Sequence, residues 1–152
     1  MDVFNLFGDA WEHESEQAGF RWRGVAFGRK LGAELMGATL YELPPGEKTW
    51  PYHFERANEE WLLCVSGRPT LRTADGEREL SPGDVAVFPR GPSGAHAVQN
   101  LGDETARVVI LSTKNPVDVA EFPDSGKVGI WDGGYVRVLR DDATVDYWEG
   151  EG

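Results

Sequence analysis

Cysteine is almost missing from this sequence: Cys64 is the only one, so no intrachain disulfide can form. Missing too is any apolar run of membrane-spanning length, and Met1-Asp2-Val3-Phe4-Asn5 lacks the basic region and long apolar stretch of an export signal. A reducing, cytoplasmic setting is the expectation that follows. Positive charge is in deficit, with 15 Lys and Arg against 26 Asp and Glu, for a formal net charge of -11. Such a surface repels phosphate backbones and anionic lipid heads, which argues against nucleic acid or a membrane as partner. Histidine is scarce as well: only His13, His53 and His96 occur, so chemistry that needs imidazole has few places to happen.

Turn formers and aromatics are plentiful. Glycine (19), proline (9) and an 11% share of Phe, Trp and Tyr suit short strands joined by tight turns. A length of 152 residues fits one domain spanning 1–152. Residues 1 to about 20 read as an appended arm. There Phe4, Phe7 and Trp11 recur at helical spacing, which predicts a short amphipathic helix on the outside of the domain or a segment crossing to a second subunit. From about residue 33 to 112 short apolar runs alternate with turn signals, giving expected strands at Ala33–Leu43, Glu60–Ser66, Pro69–Thr73, Glu77–Leu80, Asp84–Phe88, Ala95–Gln99 and Thr105–Ser112. Asp75-Gly76 predicts a tight hairpin with positive φ at both central residues. Residues 113–152 supply a last hairpin, Val128–Trp131 and Tyr135–Leu139 about Asp132-Gly133-Gly134, and a tail. No helical stretch separates the strands, and there is no linker or internal repeat. An all-β sandwich or barrel is predicted.

Two of the histidines lie in contexts suited to ligation. His53 and Glu55 are two apart on an extended segment, so their side chains leave the same face. Glu60 opens the next strand, and if it faces inward so do Leu62 and Cys64, while Trp61, Leu63 and Val65 face away. His96 heads a later strand with Val98 on its face. Two imidazoles and two carboxylates converging from three strands make a mixed nitrogen and oxygen set for a divalent transition metal. Two ionised carboxylates held close repel one another, and a cation between them removes the conflict.

These spacings resemble the cupins, whose two motifs are written G-x5-H-x-H-x(3,4)-E-x6-G and G-x5-P-x-G-x2-H-x3-N. Gly46, His53, Glu55, Glu60 and Gly67 follow the first; Gly83, Pro89, Gly91, His96 and Asn100 follow the second, with 15 residues between them. The resemblance, to the small single-domain type, covers about 33–112 closely. It implies a double-stranded β-helix, a jelly-roll barrel open at one mouth. It also implies a divalent ion such as Mn, Fe, Zn or Ni on His53, Glu60 and His96. Glu55 departs from the pattern by standing where a second histidine is usual. Six residues rather than five follow Gly46, and two extra residues precede His96. Glu55 is then a fourth ligand favouring harder ions such as Mn(II) or Fe(II) over copper, or turns away to leave three ligands. Alternatively, metal binding is lost and the four residues form a polar cluster.

Other residues carry plainer expectations. His13 is read as exposed, Cys64 as a small buried hydrophobe and Glu59 as a rim residue. Arg56 and Arg90 are read as partners of nearby carboxylates or of an anionic substrate. Asn100 is read as a turn cap, and Trp50, Phe54, Trp61 and Phe88 as core or interface. The expected function is a metal-dependent enzyme acting on a small polar organic molecule, of decarboxylase, dioxygenase or isomerase type. In it Glu55 is either a ligand or a general base beside the ion. The alternatives are a non-catalytic small-molecule-binding barrel with a structural or absent metal, and a structural partner of another enzyme. Sheet edges left uncovered favour a homodimer.

Overall fold

The computed structural model describes residues 1–152, the side chain of Ala143 excepted. Its strands in chain order are β1 (His13–Ser15), β2 (Trp22–Val25), β3 (Met36–Leu43), β4 (Phe54–Glu55), β5 (Glu60–Ser66), β6 (Thr70–Thr73), β7 (Gly76–Glu79), β8 (Val85–Phe88), β9 (His96–Gln99), β10 (Ala106–Thr113), β11 (Val117–Phe122), β12 (Lys127–Asp132) and β13 (Tyr135–Arg140). A one-turn helix, α1 (Phe27–Lys30), and 3-10 turns at Pro92–Gly94 and Asp141–Ala143 complete the regular structure of the described residues.

One layer is a six-stranded antiparallel sheet in the order β1-β2-β3-β10-β5-β8. Facing it are β7-β6-β9 and β4-β11-β12-β13. Bridges Lys48↔Gln99 and His53↔His96 fasten the segment leading into β4 onto β9, so the two smaller sheets continue into a single second layer. Tyr41, Leu43, Leu62, Leu71, Phe88, Val98 and Val108 fill the space between the layers. The fold is a double-stranded β-helix, as the motif spacing implies.

Side-chain alternation explains why these segments are strands. On β5, Leu62 and Cys64 are 1% exposed and face the interior, while Leu63 and Val65 face outward. The central strand β10 is apolar on both sides because both its faces are covered: Val108 meets the barrel core, and Val109 meets a second cluster outside it. That outer cluster is closed by the N-terminal arm through Phe4, Leu6 and Trp11, together with Val25, Leu40 and Phe27.

The arm lies outside the barrel but is not the expected helix. Phe7 is 69% exposed, and the residues that pack are Phe4, Leu6 and Trp11. Arg107 explains the choice. Its guanidinium donates to the carbonyls of Leu6 and Gly8 at 3.2 and 3.0 Å, satisfying backbone acceptors that a helix would otherwise claim. The β6–β7 turn also departs from expectation. It centres on Ala74 and Asp75, with Thr73 opposite Gly76, and only Gly76 takes positive φ, at 121°. In the last hairpin Gly133 and Gly134 both do, as a two-residue turn of the primed type requires.

Candidate metal centre

His53 and His96 are brought together by the backbone itself. The amide of His53 donates to the carbonyl of His96 at 3.1 Å, and the amide of His96 returns the bond to His53 at 2.8 Å. Directly paired antiparallel residues point to one side of a sheet, so both imidazoles enter the barrel, with ring centroids 4.8 Å apart. Glu60 reaches across from β5 in the opposite layer. Its Oε2 lies 3.8 Å from His53 Nε2 and 3.4 Å from His96 Nε2.

Hydrogen bonds on the far side of each ring settle where the ring protons sit. His53 Nδ1 lies 2.8 Å from the Pro51 carbonyl, and His96 Nδ1 lies 2.9 Å from the Gly94 carbonyl. A carbonyl only accepts, so each Nδ1 carries hydrogen and each Nε2 turns a lone pair toward Glu60. Burial lowers both imidazole pKa values, that of His96 to about 3 with the nearby His53 adding to the effect. Burial first, then the charge of Asp118, pushes the Glu60 carboxyl up to about 7. Three acceptor atoms thus confront one another, all within 4.8 Å, and the one proton available between them is a proton on Glu60. A divalent cation fits this donor set, and the outward Nδ1–H···O=C bonds are the usual bracing of metal-binding histidines.

The rings are held in place by packing. Phe88 stacks on His96 at 3.6 Å between centroids, and Phe122 on His53 at 5.9 Å. The turn that offers its carbonyl to His96 admits only glycine at position 94, where a Cβ would fall 1.8 Å from the Pro89 carbonyl oxygen.

Glu55 lies outside the group formed by His53, Glu60 and His96. Burial above all, then the charges of Glu60 and Asp118, pushes its carboxyl up to about 8. Its buried Oε2 has no hydrogen-bond partner among the described residues. A cavity of about 200 Å³ beside Glu55 is lined by Glu55, Asn58, Asn115, Asp118, Ala120 and Trp131.

Asp118 and Phe122 are site residues that the sequence reading missed. Asp118 accepts from the Ala57 and Val119 amides and from Asn58 Nδ2 at 2.8, 2.8 and 2.9 Å, anchoring the loop between Glu55 and Glu60. The available signal was an acid at the inward position of an alternating Val117-Asp118-Val119-Ala120 run. Of the remaining candidates, His13 is exposed on β1. Cys64 is a core residue whose thiol burial pushes up to about 11. Arg56 bonds Glu121 at 2.7 Å, and Glu59 accepts from the Trp61 indole at 2.9 Å. Asn100 is fully buried, its amide donating to the Leu43 and Glu104 carbonyls at 2.9 and 2.8 Å.

The family model described as Cupin domain matches residues 39–112, the stretch that contains His53, Glu60 and His96. Over 99% of this chain and all of the other, the fold superposes with a TM-score of 0.84 on a sugar phosphate isomerase of the cupin superfamily from Silicibacter pomeroyi, at 23% identity. Residues 39–112 are thus a cupin domain, and the chain as a whole has the cupin fold. The chain is also similar to a protein from Acidithiobacillus ferrooxidans provisionally named a sugar phosphate isomerase. That match has 25% identity and a TM-score of 0.79, covering 84% of this chain and 81% of the other. A predicted oxalate decarboxylase from Thermotoga maritima shares the fold at 15% identity, with a TM-score of 0.61 over 75% of this chain and 100% of that one. No curated protein sequence matches.

Proposed function

We propose that this cupin is a metal-dependent enzyme that moves a proton within a small hydroxycarbonyl substrate, an isomerase-type reaction. The observation that carries the reading is the meeting of two Nε2 lone pairs with the Glu60 carboxylate, beside the second buried carboxyl of Glu55. His53, Glu60 and His96 would hold the ion. When bound, a divalent ion polarises a substrate carbonyl and acidifies the neighbouring C–H. Glu55 takes that proton at Oε2 and returns it to the former carbonyl carbon, while the hydroxyl proton passes to the former carbonyl oxygen. A carboxyl raised toward neutrality serves in both directions, since it accepts and releases a proton near working pH. The cavity beside Glu55 is lined by Asn58, Asn115 and Trp131, a polar and aromatic wall that suits a hydroxylated molecule. The name given to the relative at 25% identity supports the same reaction class.

Metal analysis of the purified chain tests this directly. Stoichiometric divalent metal is expected in the wild type and in Glu55→Gln, and loss of metal in His53→Ala and Glu60→Ala. With a hydroxycarbonyl substrate, Glu55→Gln is expected to lose about 100-fold or more in turnover, the usual contribution of a general base. Sub-stoichiometric metal that does not respond to the ligand substitutions would sink the reading.

A further inference from the structure

A second cavity, of about 300 Å³, lies on the other side of the extended segment that leads through His53 into β4, where Lys48, Arg72, Lys127, Asp124, Phe20 and Tyr52 surround it. Alternation fixes the side. Arg72 pairs with Ala97, and the neighbours Leu71 and Val98 both face the core, so Arg72 and Ala97 face out of the barrel. The space therefore lies outside the barrel at these residues, and Lys127, paired with the inward Phe122, borders the side of the metal centre.

Its charge is opposite to that of the molecule. In a chain of net charge -11, three cations gather here around a single lining carboxylate, Asp124. That carboxylate is taken by Arg72, whose two terminal nitrogens hold it at 2.6 and 2.8 Å while the guanidinium lies 4.1 Å from the centre of the Tyr52 ring. Two further acids near it are engaged elsewhere: Glu77 accepts from Gln99 at 3.2 Å, and Glu47 pairs with Arg21 at 3.3 Å. Lys48 and Lys127 form no ion pair among the described residues, although the chain carries 26 acids. Each ammonium sits over a ring instead, Lys48 at 5.7 Å from Phe20 and Lys127 at 5.4 Å from Phe122. Two positioned cations with free donors, next to an arginine already oriented by its own carboxylate, suit a compact oxyanion. Phe20, Pro51 and Tyr52 suit an apolar body attached to it.

We propose that this cavity binds a small organic oxyanion, a phosphate or carboxylate on a compact apolar body, with Lys48 and Lys127 holding the anionic group between them. The test is amide-resolved NMR of the full chain, metal-loaded and metal-free, titrated with inorganic phosphate, phenyl phosphate and benzoate against potassium chloride at matched ionic strength. Saturable shifts at Ala97, Gln99, Ser125 and Lys127 are expected in both samples, with phenyl phosphate or benzoate tighter than inorganic phosphate. The better of those two names the anionic group. Lys48→Gln combined with Lys127→Gln should weaken binding at least about tenfold, while Lys127→Arg keeps it. Phe20→Ala should remove only the advantage of the aromatic anions. A thermal melt checks folding, and Lys127→Gln alone replaces the double variant if that does not fold. Three results overturn the proposal: no saturable shifts beyond those of chloride, affinity unchanged on neutralising the lysines, or shifts that need the metal and centre on His53 and His96.

Discussion

At the scale of single residues, the proton that competes with a metal belongs to a carboxyl rather than to an imidazole. His96 is lowered to about 3, and burial lowers His53 as well, so at neutral pH both Nε2 atoms are bare. Glu60, raised to about 7, must surrender its proton when a cation arrives. Metal affinity is therefore expected to climb with pH through about 7, with calorimetric heats that depend on the ionisation enthalpy of the buffer and lose that dependence in Glu60→Gln. An affinity that is flat across this range would contradict it. The metal-free chain should respond in the opposite sense. Above about pH 7 the histidines are mostly neutral in folded and unfolded chains alike. Glu55 and Glu60 retain protons only when folded, up to about 8 and about 7. Stability contributed by those protonated carboxyls is complete below their ordinary value and fades as pH rises through their folded values, so the melting temperature in chelator should fall between about pH 7 and 8. The three residues of the centre were legible in the sequence because their spacing is a linear pattern. The unpaired Oε2 of Glu55 was not, since its surroundings come from β11, more than 60 residues along the chain.

At the scale of elements, strands with a clear alternation or a turn signal announced themselves, and short or interrupted ones did not. β5 is found where its apolar alternation placed it, Glu60–Ser66. β1 and β2 are three and four residues long and carry too few alternations to stand out. β11 was missed because its inward row, Asp118, Ala120 and Phe122, begins with an acid, which breaks the apolar signature. The same acid makes β11 essential to the site. Asp118→Ala leaves two amides and the Asn58 side chain without their acceptor in a place that is 7% exposed. A loss of about 3 kcal/mol in chemical denaturation is expected, within the range for removing hydrogen bonds to a buried charged group. Metal occupancy should fall with it, because the loop that leads into Glu60 is released. A loss below about 0.5 kcal/mol would mean that water replaces the carboxylate at no cost.

At the scale of the whole molecule, the six-stranded sheet is a wall with two covered sides. The barrel interior and its candidate metal centre lie on one side, and the N-terminal arm lies on the other. Trp11 is flanked there by the guanidinium groups of Arg23 and Arg107, at 5.1 and 5.0 Å from its ring. Deleting residues 1–11 should bare Leu63, Val65 and Val109, lower the melting temperature and promote aggregation. The metal content of the soluble fraction should stay unchanged, because nothing in the arm touches the ligands. A truncated chain that loses its metal in proportion would refute this separation of faces. The reciprocal backbone bonds between residues 53 and 96 carry a further consequence for how the chain matures. Sliding one strand against the other by a single position would expel an imidazole from the interior and disband the donor set at a stroke. Ion uptake would thus be an all-or-none certificate of correct strand alignment, and a misaligned barrel would betray itself by refusing to load.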